Sequence, residues 1–501
     1  MTTVYGDYAR DKIGWFFGLS GWQLAILAVG FLPPCWAMSR GDWASAGILL
    51  LGWVAAGVVT VTEAWGRTAL GWLGAAVSYA AGSLRGWTRF RATATRGAVT
   101  DLDQADLPGV LEAVQIHDGP PHGHTQNRVA VIQDHANRTW AVTAAVVHPG
   151  LGMKDSPARA LEGAGLSQLL DAASRAELVT EIIFIVRTVP DDGAERQLYL
   201  RRHRRAAGPQ LSRQVNDDLT RALDGAAVRT EAFATVVVPE ARIARHAKRS
   251  GGGLDGRARV LYAVMAEVEA QLRGAMGMLD VRWLSSPELA LACRTGFAPG
   301  DRAGVVEALA ARERDPGVNA DVPWAMAGPS GADPAVRHYS HDAWNSASAT
   351  IKLPSKGAVM GALAPVLTPD EPGERRCFMV SYPILAQGKA DRRSANSEWA
   401  ADIGGHLRDK VGMKQRAKQR DQAAKARGMD SKLARGNAMI RPYGVCTVTV
   451  PKTERVSEYA ARLDASVRRA GFAPLRLDMA QDVAFIASTI PLGTSLTRHR
   501  G

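Results

Sequence analysis

Two long apolar runs, Trp22 to Met38 and Trp43 to Val61, open the chain with only Ser39-Arg40-Gly41-Asp42 between them. Neither run carries an internal charge, and each approaches the ~20 residues that an α-helix needs to cross a bilayer's hydrocarbon core. The pattern therefore predicts a transmembrane helical hairpin with spans at about 22–38 and 43–61. Arg10 and Lys12 precede it and Arg67, Arg85, Arg89, Arg91 and Arg96 follow it, which by the positive-inside preference places both termini in the cytoplasm. Tryptophans at 15, 22, 36, 43, 53 and 65 surround the runs, as amphipathic rings do at headgroup depth. The start lacks a short basic segment leading directly into an apolar core, so a retained anchor is expected and a cleaved leader is not. A third stretch, Leu70 to Leu84, is shorter and richer in Ala and Gly, and predicts an interfacial helix or an exit segment.

Beyond this region (residues 1–97) the periodicity changes. Short β-rich runs, Val110 to Ile116, Arg128 to Gln133 and Thr139 to Val147, predict an antiparallel meander, with His117 to Gln126 as a polar loop. A helix over Ala158 to Ala176, a strand over Val179 to Val189, a basic helical region reaching Asp224 and a strand over Ala232 to Val238 come next. After a glycine break at Gly251 to Gly256, Ala258 to Met278 has the spacing of a long amphipathic helix, and Val281 to Leu284 and Pro287 to Cys293 continue the alternation. Residues 301–334 are rich in Pro, Gly and Asp and read as a helix, Ala303 to Arg312, followed by a linker between two α+β domains, 98–300 and 335–501. In the second domain His338 to Leu353, Cys377 to Leu385, Tyr443 to Val450 and Pro474 to Leu477 read as strands. Helices are expected from Ala390 to about Arg435, over Val456 to Ala470 and over Met479 to Ala487. The fold class is α+β in two broadly similar halves, with antiparallel or mixed sheets of the kind found in ferredoxin-like units.

Composition adds a net charge of +12 and a pI of about 9.7, which leave anionic lipid, nucleic acid and an acidic protein face as possible partners. Cys35, Cys293, Cys377 and Cys446 are too far apart for a Cys-x-x-Cys centre or a zinc ribbon, and read as small apolar residues in a reducing compartment. No G-x-x-x-x-G-K-[ST] occurs; Gly251 to Gly256 leads into Arg257 and reads as a helix-entry loop. His117, His122, His124 and His135, with Asp118 and Asp134, form a loose cluster without the i, i+4 spacing of a helical metal site, and a solvated hairpin is the better account. His338 and His341 with Asp342 read as strand and turn. No Gly-x-Ser-x-Gly elbow is present, so no catalytic residue, cofactor or metal ligand is assigned.

Basic residues concentrate in two places. One is the run over 408–435, whose Arg408, Lys410, Lys414, Arg416, Lys418, Arg420, Lys425 and Arg427 are candidate contacts for DNA, anionic lipid or a protein partner. The other is Arg201-Arg202-His203-Arg204-Arg205, which lacks an interleaved aromatic for base stacking and reads as a solvated loop.

Three segments resemble components of bacterial type IV secretion, the conjugation machinery. Tyr5-Gly6-Asp7-Tyr8, Gly18-Leu19, the double apolar run and Trp65-Gly66-Arg67 look like a PrgI-like two-helix subunit of the inner membrane. His338-Tyr339, Tyr382-Pro383, the basic helical stretch and the closing Ala484-Phe485-Ile486-Ala487-Ser488-Thr489-Ile490-Pro491-Leu492-Gly493 are similar to the N-terminal, non-ATPase half of the TrbE/CagE family. The middle α+β region is compatible and carries no sharp motif. The resemblance, shared with a group of actinobacterial membrane proteins, implies an oligomeric, membrane-anchored scaffold that docks a separate ATPase to other channel subunits. It implies no catalytic residue, because the family's nucleotide site belongs to a motor domain with no counterpart here. A type VII secretion component of the EccE kind and a membrane-bound metal-dependent enzyme using His122 and His124 are the alternative expectations.

Overall fold

The computed structural model describes residues 4–5, 21–61, 63–64, 67–86, 89–97, 101–123, 126–152, 154–203, 205, 208–226, 228–354, 357–371, 373–386, 388, 390, 428 and 431–496. The chain divides into two compact units. One comprises Met1–Tyr5, Gly82–Ile384 and Ile440–Gly501, and the other Gly6–Ala81 and Leu385–Met439.

In the smaller unit the first apolar run forms two helices, α1 (Gly21–Gly30) and α2 (Leu32–Ser39), interrupted at Phe31. Pro33 and Pro34 explain the break, since proline lacks an amide hydrogen and disfavours helical geometry in the residue before it. At 1.5 Å per residue these pieces are only about 15 and 12 Å long. The second run forms α3 (Trp43–Val61). Trp53 Nε1 donates to the Leu27 carbonyl at 2.8 Å and its ring lies tilted against Phe31 with centroids 5.0 Å apart, so the helices pack as a hairpin around a Ser39–Asp42 turn with Gly41 at φ +76°. Trp43, Ile48 and Leu51 stay exposed. Among the described residues no helix is long and apolar enough to cross a membrane. The expected transmembrane hairpin, with its spans at 22–38 and 43–61 and the multi-pass location inferred from it, is corrected accordingly. The third stretch is the helix α4 (Ala69–Leu84).

The larger unit is α+β and built on a 13-stranded sheet, antiparallel at every pairing. In chain order its strands are β1 (Phe90–Arg91), β2 (Val114–His122), β3 (Asn127–Asp134), β4 (Thr139–Val147), β5 (Glu181–Pro190), β6 (Val228–Pro239), β7 (Asp280–Trp283), β8 (Gly331–Pro334), β9 (Tyr339–His341), β10 (Trp344–Lys352), β11 (Arg375–Pro383), β12 (Tyr443–Pro451) and β13 (Ala473–Arg476). The helices are α5 (Ser156–Arg175), α6 (Ala194–His203), α7 (Gln210–Ala226), α8 (Glu240–Arg249), α9 (Gly253–Gly274), α10 (Ser286–Phe297), α11 (Arg302–Arg312), α12 (Ala364–Leu367), α13 (Val456–Arg469) and α14 (Gln481–Thr489).

Strand order shows that this sheet is a duplication. In the first half the lateral order is β7-β4-β6-β5, and in the second it is β13-β10-β12-β11. Both are the 4-1-3-2 order of a split β-α-β unit, each first strand running parallel to the second with the third inserted between them. The registers agree as well. Residues 139–141 of β4 pair with β3 and 144–147 with β7, while 344–346 of β10 pair with β9 and 349–352 with β13. Each half therefore starts with a hairpin, completes the four-strand unit and ends in a helix, α10 or α14. The halves join through their second strands: β5 pairs with β11 over eight positions, so residues 301–334 do not divide the sheet.

Cross-strand neighbours share a face of the sheet, which assigns the cores. Phe184 and Phe378 are diagonal neighbours, and they pack respectively with α5, α8 and α9 and with α12 and α13. Ile185 faces Met379 on the opposite side, where α10 and α14 cover both halves. Because the central strands are covered on both faces, they read as near-continuous apolar runs, Glu181–Pro190 being E-I-I-F-I-V-R-T-V-P. The glycine loop before α9 is a tight corner: Gly251, Gly252 and Gly253 all have positive φ, and a Cβ on Gly256 would lie 2.5 Å from the Ala247 carbonyl oxygen of α8. Gly256→Ala should therefore cost about 1–3 kcal/mol in urea unfolding, as overpacking does. Gly274→Ala, with nothing within 4 Å, should be neutral or slightly stabilising.

Candidate functional site

The largest concentration of buried polar chemistry lies where the halves meet, beneath α10 and α14. Arg187 of β5 is 1% exposed; its Nη1 donates to the carbonyls of Ala292 (2.9 Å) and Thr489 (3.2 Å), and its Nη2 pairs with Glu231 at 2.8 Å. The guanidinium also lies 4.7 Å from the Phe233 ring centre. Arg375 of β11, fully buried, donates to the Thr295 carbonyl at 2.9 Å and to Thr449 Oγ1 at 3.1 Å. Thr295 and Thr489 occupy the last turns of α10 and α14, whose carbonyls lack intrahelical donors and carry the negative end of the helix dipole. The two arginines thus receive both helix ends. Arg375 has no carboxylate partner among the described residues; burial brings its pKa down to about 10, still charged at neutral pH. On the other face Arg376, equally buried, is held by Glu374 and by Asp370 at 2.7 Å.

A hydroxyl chain continues from Arg375. Thr449 Oγ1 meets Ser346 Oγ at 2.7 Å, and Ser346 shares a hydrogen bond of 2.8 Å with His341 Nε2. Phe485, Tyr339 and Phe297 surround the imidazole at 4.4, 5.2 and 6.2 Å. A Ser-His contact can suggest nucleophilic catalysis, but His341, Ser346 and Thr449 are each 0% exposed, and the chain of hydroxyls links Arg375 to the imidazole inside the core. The chain from Ile490 to Ser495 seals the same face. Thr143 Oγ1 donates to the Pro491 carbonyl at 2.8 Å, Ser495 meets the Tyr443 hydroxyl at 2.8 Å, and Gly493 (φ +75°) lies so close to Ala141, Thr235 and Val237 that a side chain would crowd them. The segment from Ile490 to Ser495 is therefore a buried strap across both halves.

Residues singled out from sequence are placed as follows. Arg408, Lys410, Lys414, Arg416, Lys418, Arg420, Lys425 and Arg427 lie outside the described residues. Arg201 and Arg202 are on α6, not in a loop, and pair with Glu307 (2.9 Å) and Glu313 (2.8 Å), Glu307 lying on α11, so much of that cluster's charge is answered within the chain. His117 meets Gln133 at 2.9 Å, His135 meets Gln115 at 3.0 Å, and His122 packs on Tyr262 at 4.4 Å. His117 to His122 extend β2 where a loop was expected, and His124 is outside the described residues. Asp134 is taken up by Asn137, and Asp342 by Arg294 at 3.3 Å and the Ser330 amide at 2.6 Å. No group of His, Cys, Asp and Glu among the described residues could hold a metal ion.

No family model matches the chain, and no curated protein resembles it closely enough to count as a relative. Its chemistry has to be read from the residues alone. Cys293, Cys377 and Cys446 are buried, and burial pushes the thiols of Cys293 and Cys446 up to about 12, which suppresses the thiolate. An open cleft of about 360 Å³ lies beside Trp140, Asp134, His135 and Glu240, where Arg257 stacks over Trp140 and pairs with Glu240 at 2.6 Å. Those charges satisfy one another.

Sequence reading missed Arg187, Arg375 and Arg376. Their signal was available: a single arginine, or a pair, inside a strand otherwise made of buried apolar residues has to find partners. His341 supplies a test. Burial, then the positive charges of Arg375, Lys452 and Arg294, hold its pKa well below 6.5. The unfolded chain then binds the extra proton, so this stability is complete above about pH 6.5 and is lost as pH falls from there towards the folded value. His341→Gln should flatten that part of the dependence of urea midpoints between pH 7 and 5; an unchanged slope contradicts it.

Proposed function

We propose that this chain is a non-catalytic docking subunit of a conjugative type IV secretion apparatus, which couples a separate ATPase to the channel. The observation that carries the reading is the placement of its two large insertions. Both interrupt the duplicated sheet between the second and third strands of a repeat: α6 and α7 between β5 and β6, and residues 384–442, with the basic run, between β11 and β12. A partner held at an insertion between two strands is reached without disturbing the strands that flank it, and both repeats offer such a place. The similarity of its later segments to the non-ATPase half of the TrbE/CagE family supports the same role.

The test is reconstitution with a protein carrying Walker motifs that is encoded in a neighbouring reading frame. The full chain should form a complex with it that survives raised salt and alters its ATP hydrolysis. Charge reversal at Lys414, Arg416, Lys418 and Arg420 should weaken the complex at least ~10-fold. Failure to bind, together with steeply salt-dependent binding of DNA by the same residues, would replace ATPase docking with nucleic-acid binding.

A further inference from the structure

Positive charge on this chain is answered unevenly. On α6, Arg201 and Arg202 pair with glutamates. On α8 the cations meet no carboxylate among the described residues. Ile243 and Ala247, one turn apart, seat that helix on the core, and its opposite side carries Arg242, Arg245, Lys248 and Arg249 at i, i+3 and i+4 spacing. Arg245, Lys248 and Arg249 are exposed and form no ion pair among the described residues. Arg242 donates to the Glu177 carbonyl, and Arg259 of α9 donates to the Ser250 carbonyl at 3.0 Å, which places another cation at the end of the ridge. Glu240, the acid of α8, is taken up by Arg257 and Trp140.

Local energetics do not account for this ridge. Lys248 and Arg249 in the last turn suit the helix dipole, but Arg242 stands in the first turn, at its positive end. Like charges one turn apart also repel. An anion lying along the helix reverses both terms.

The chemistry of the face selects that anion. No large apolar side chain is exposed between Glu240 and Arg259, so the face lacks the anchor on which a protein interface is centred and has nothing to insert among lipid tails. Nor does it carry an aromatic on which unpaired bases could stack. What remains is a row of cations, mostly arginine, suited to the regularly spaced phosphates of a duplex.

We propose that α8 is a contact for the phosphate backbone of a nucleic-acid duplex, bound without regard to sequence. The contact uses other residues than ATPase docking and stands independently of it.

Fluorescence anisotropy of the full chain with a short DNA duplex of arbitrary sequence, repeated at several salt concentrations, tests it. The wild type should bind, with log affinity falling linearly against log salt. With the basic run over 408–435 intact, Arg245→Glu with Arg249→Glu should weaken binding at least ~10-fold, and Arg245→Gln with Arg249→Gln should reduce the salt slope by ~2. Arg245→Lys with Arg249→Lys should preserve both. These positions are exposed, so unchanged urea midpoints separate a lost contact from a lost fold. No duplex binding by the wild type, binding indifferent to the α8 substitutions, or capture by phosphatidylserine vesicles in place of the duplex would each overturn the proposal. ATPase capture is measured separately, so the failure of one reading is distinguishable from the failure of the other.

Discussion

The fold depends on two guanidinium groups held out of water. Arg187 and Arg375 stand on the two strands that join the repeats, and each reaches up to the last turn of a covering helix. A buried charge is costly unless it is fully answered, and removing its partners typically costs 3–5 kcal/mol. That cost makes the arrangement specific: α10 and α14 must end where they do for the carbonyls of Ala292, Thr295 and Thr489 to face the arginines. The strap from Ile490 to Ser495 follows from the end of α14, and it closes the first repeat with residues supplied by the second.

Much of the secondary structure was legible because buried strands and amphipathic helices leave different periodicities. Thr139–Val147, Val228–Pro239 and Tyr443–Pro451 are long β-branched runs that could hardly be anything else. The two similar halves could also be seen in the alternation of elements. Their joining was not, because pairing between β5 and β11 is a contact between residues some 200 apart and leaves no local pattern. The N-terminal region fails for a different reason. Apolar content suggested two spans, but Pro33 and Pro34 divide the first run into two short helices, and among the described residues no helix is long and apolar enough to cross a membrane. At the central site the structure gathers buried charge at single arginines within apolar strands, where no local cluster of polar residues marks them. Arg201 and Arg202 read as a solvated loop, whereas they lie on α6 and pair with Glu307 and Glu313, about 110 residues further along the chain.

These features join the two repeats into one sheet. A duplicated sheet covered on both faces resists bending, and helices that cross the seam bind one repeat's position to the other's. The chain inserted between the second and third strands differs in charge between the repeats, mixed over Gln210–Ala226 and basic over 408–435.

The unity of the two repeats is the claim from which the rest follows, and native-state hydrogen exchange of the full chain tests it most directly. Amides of β5, β6, β11 and β12 should exchange with one common opening free energy, and Arg187→Met should lower it equally in both repeats. Loss of protection confined to the first repeat, with β11 and β12 unchanged, would contradict the account.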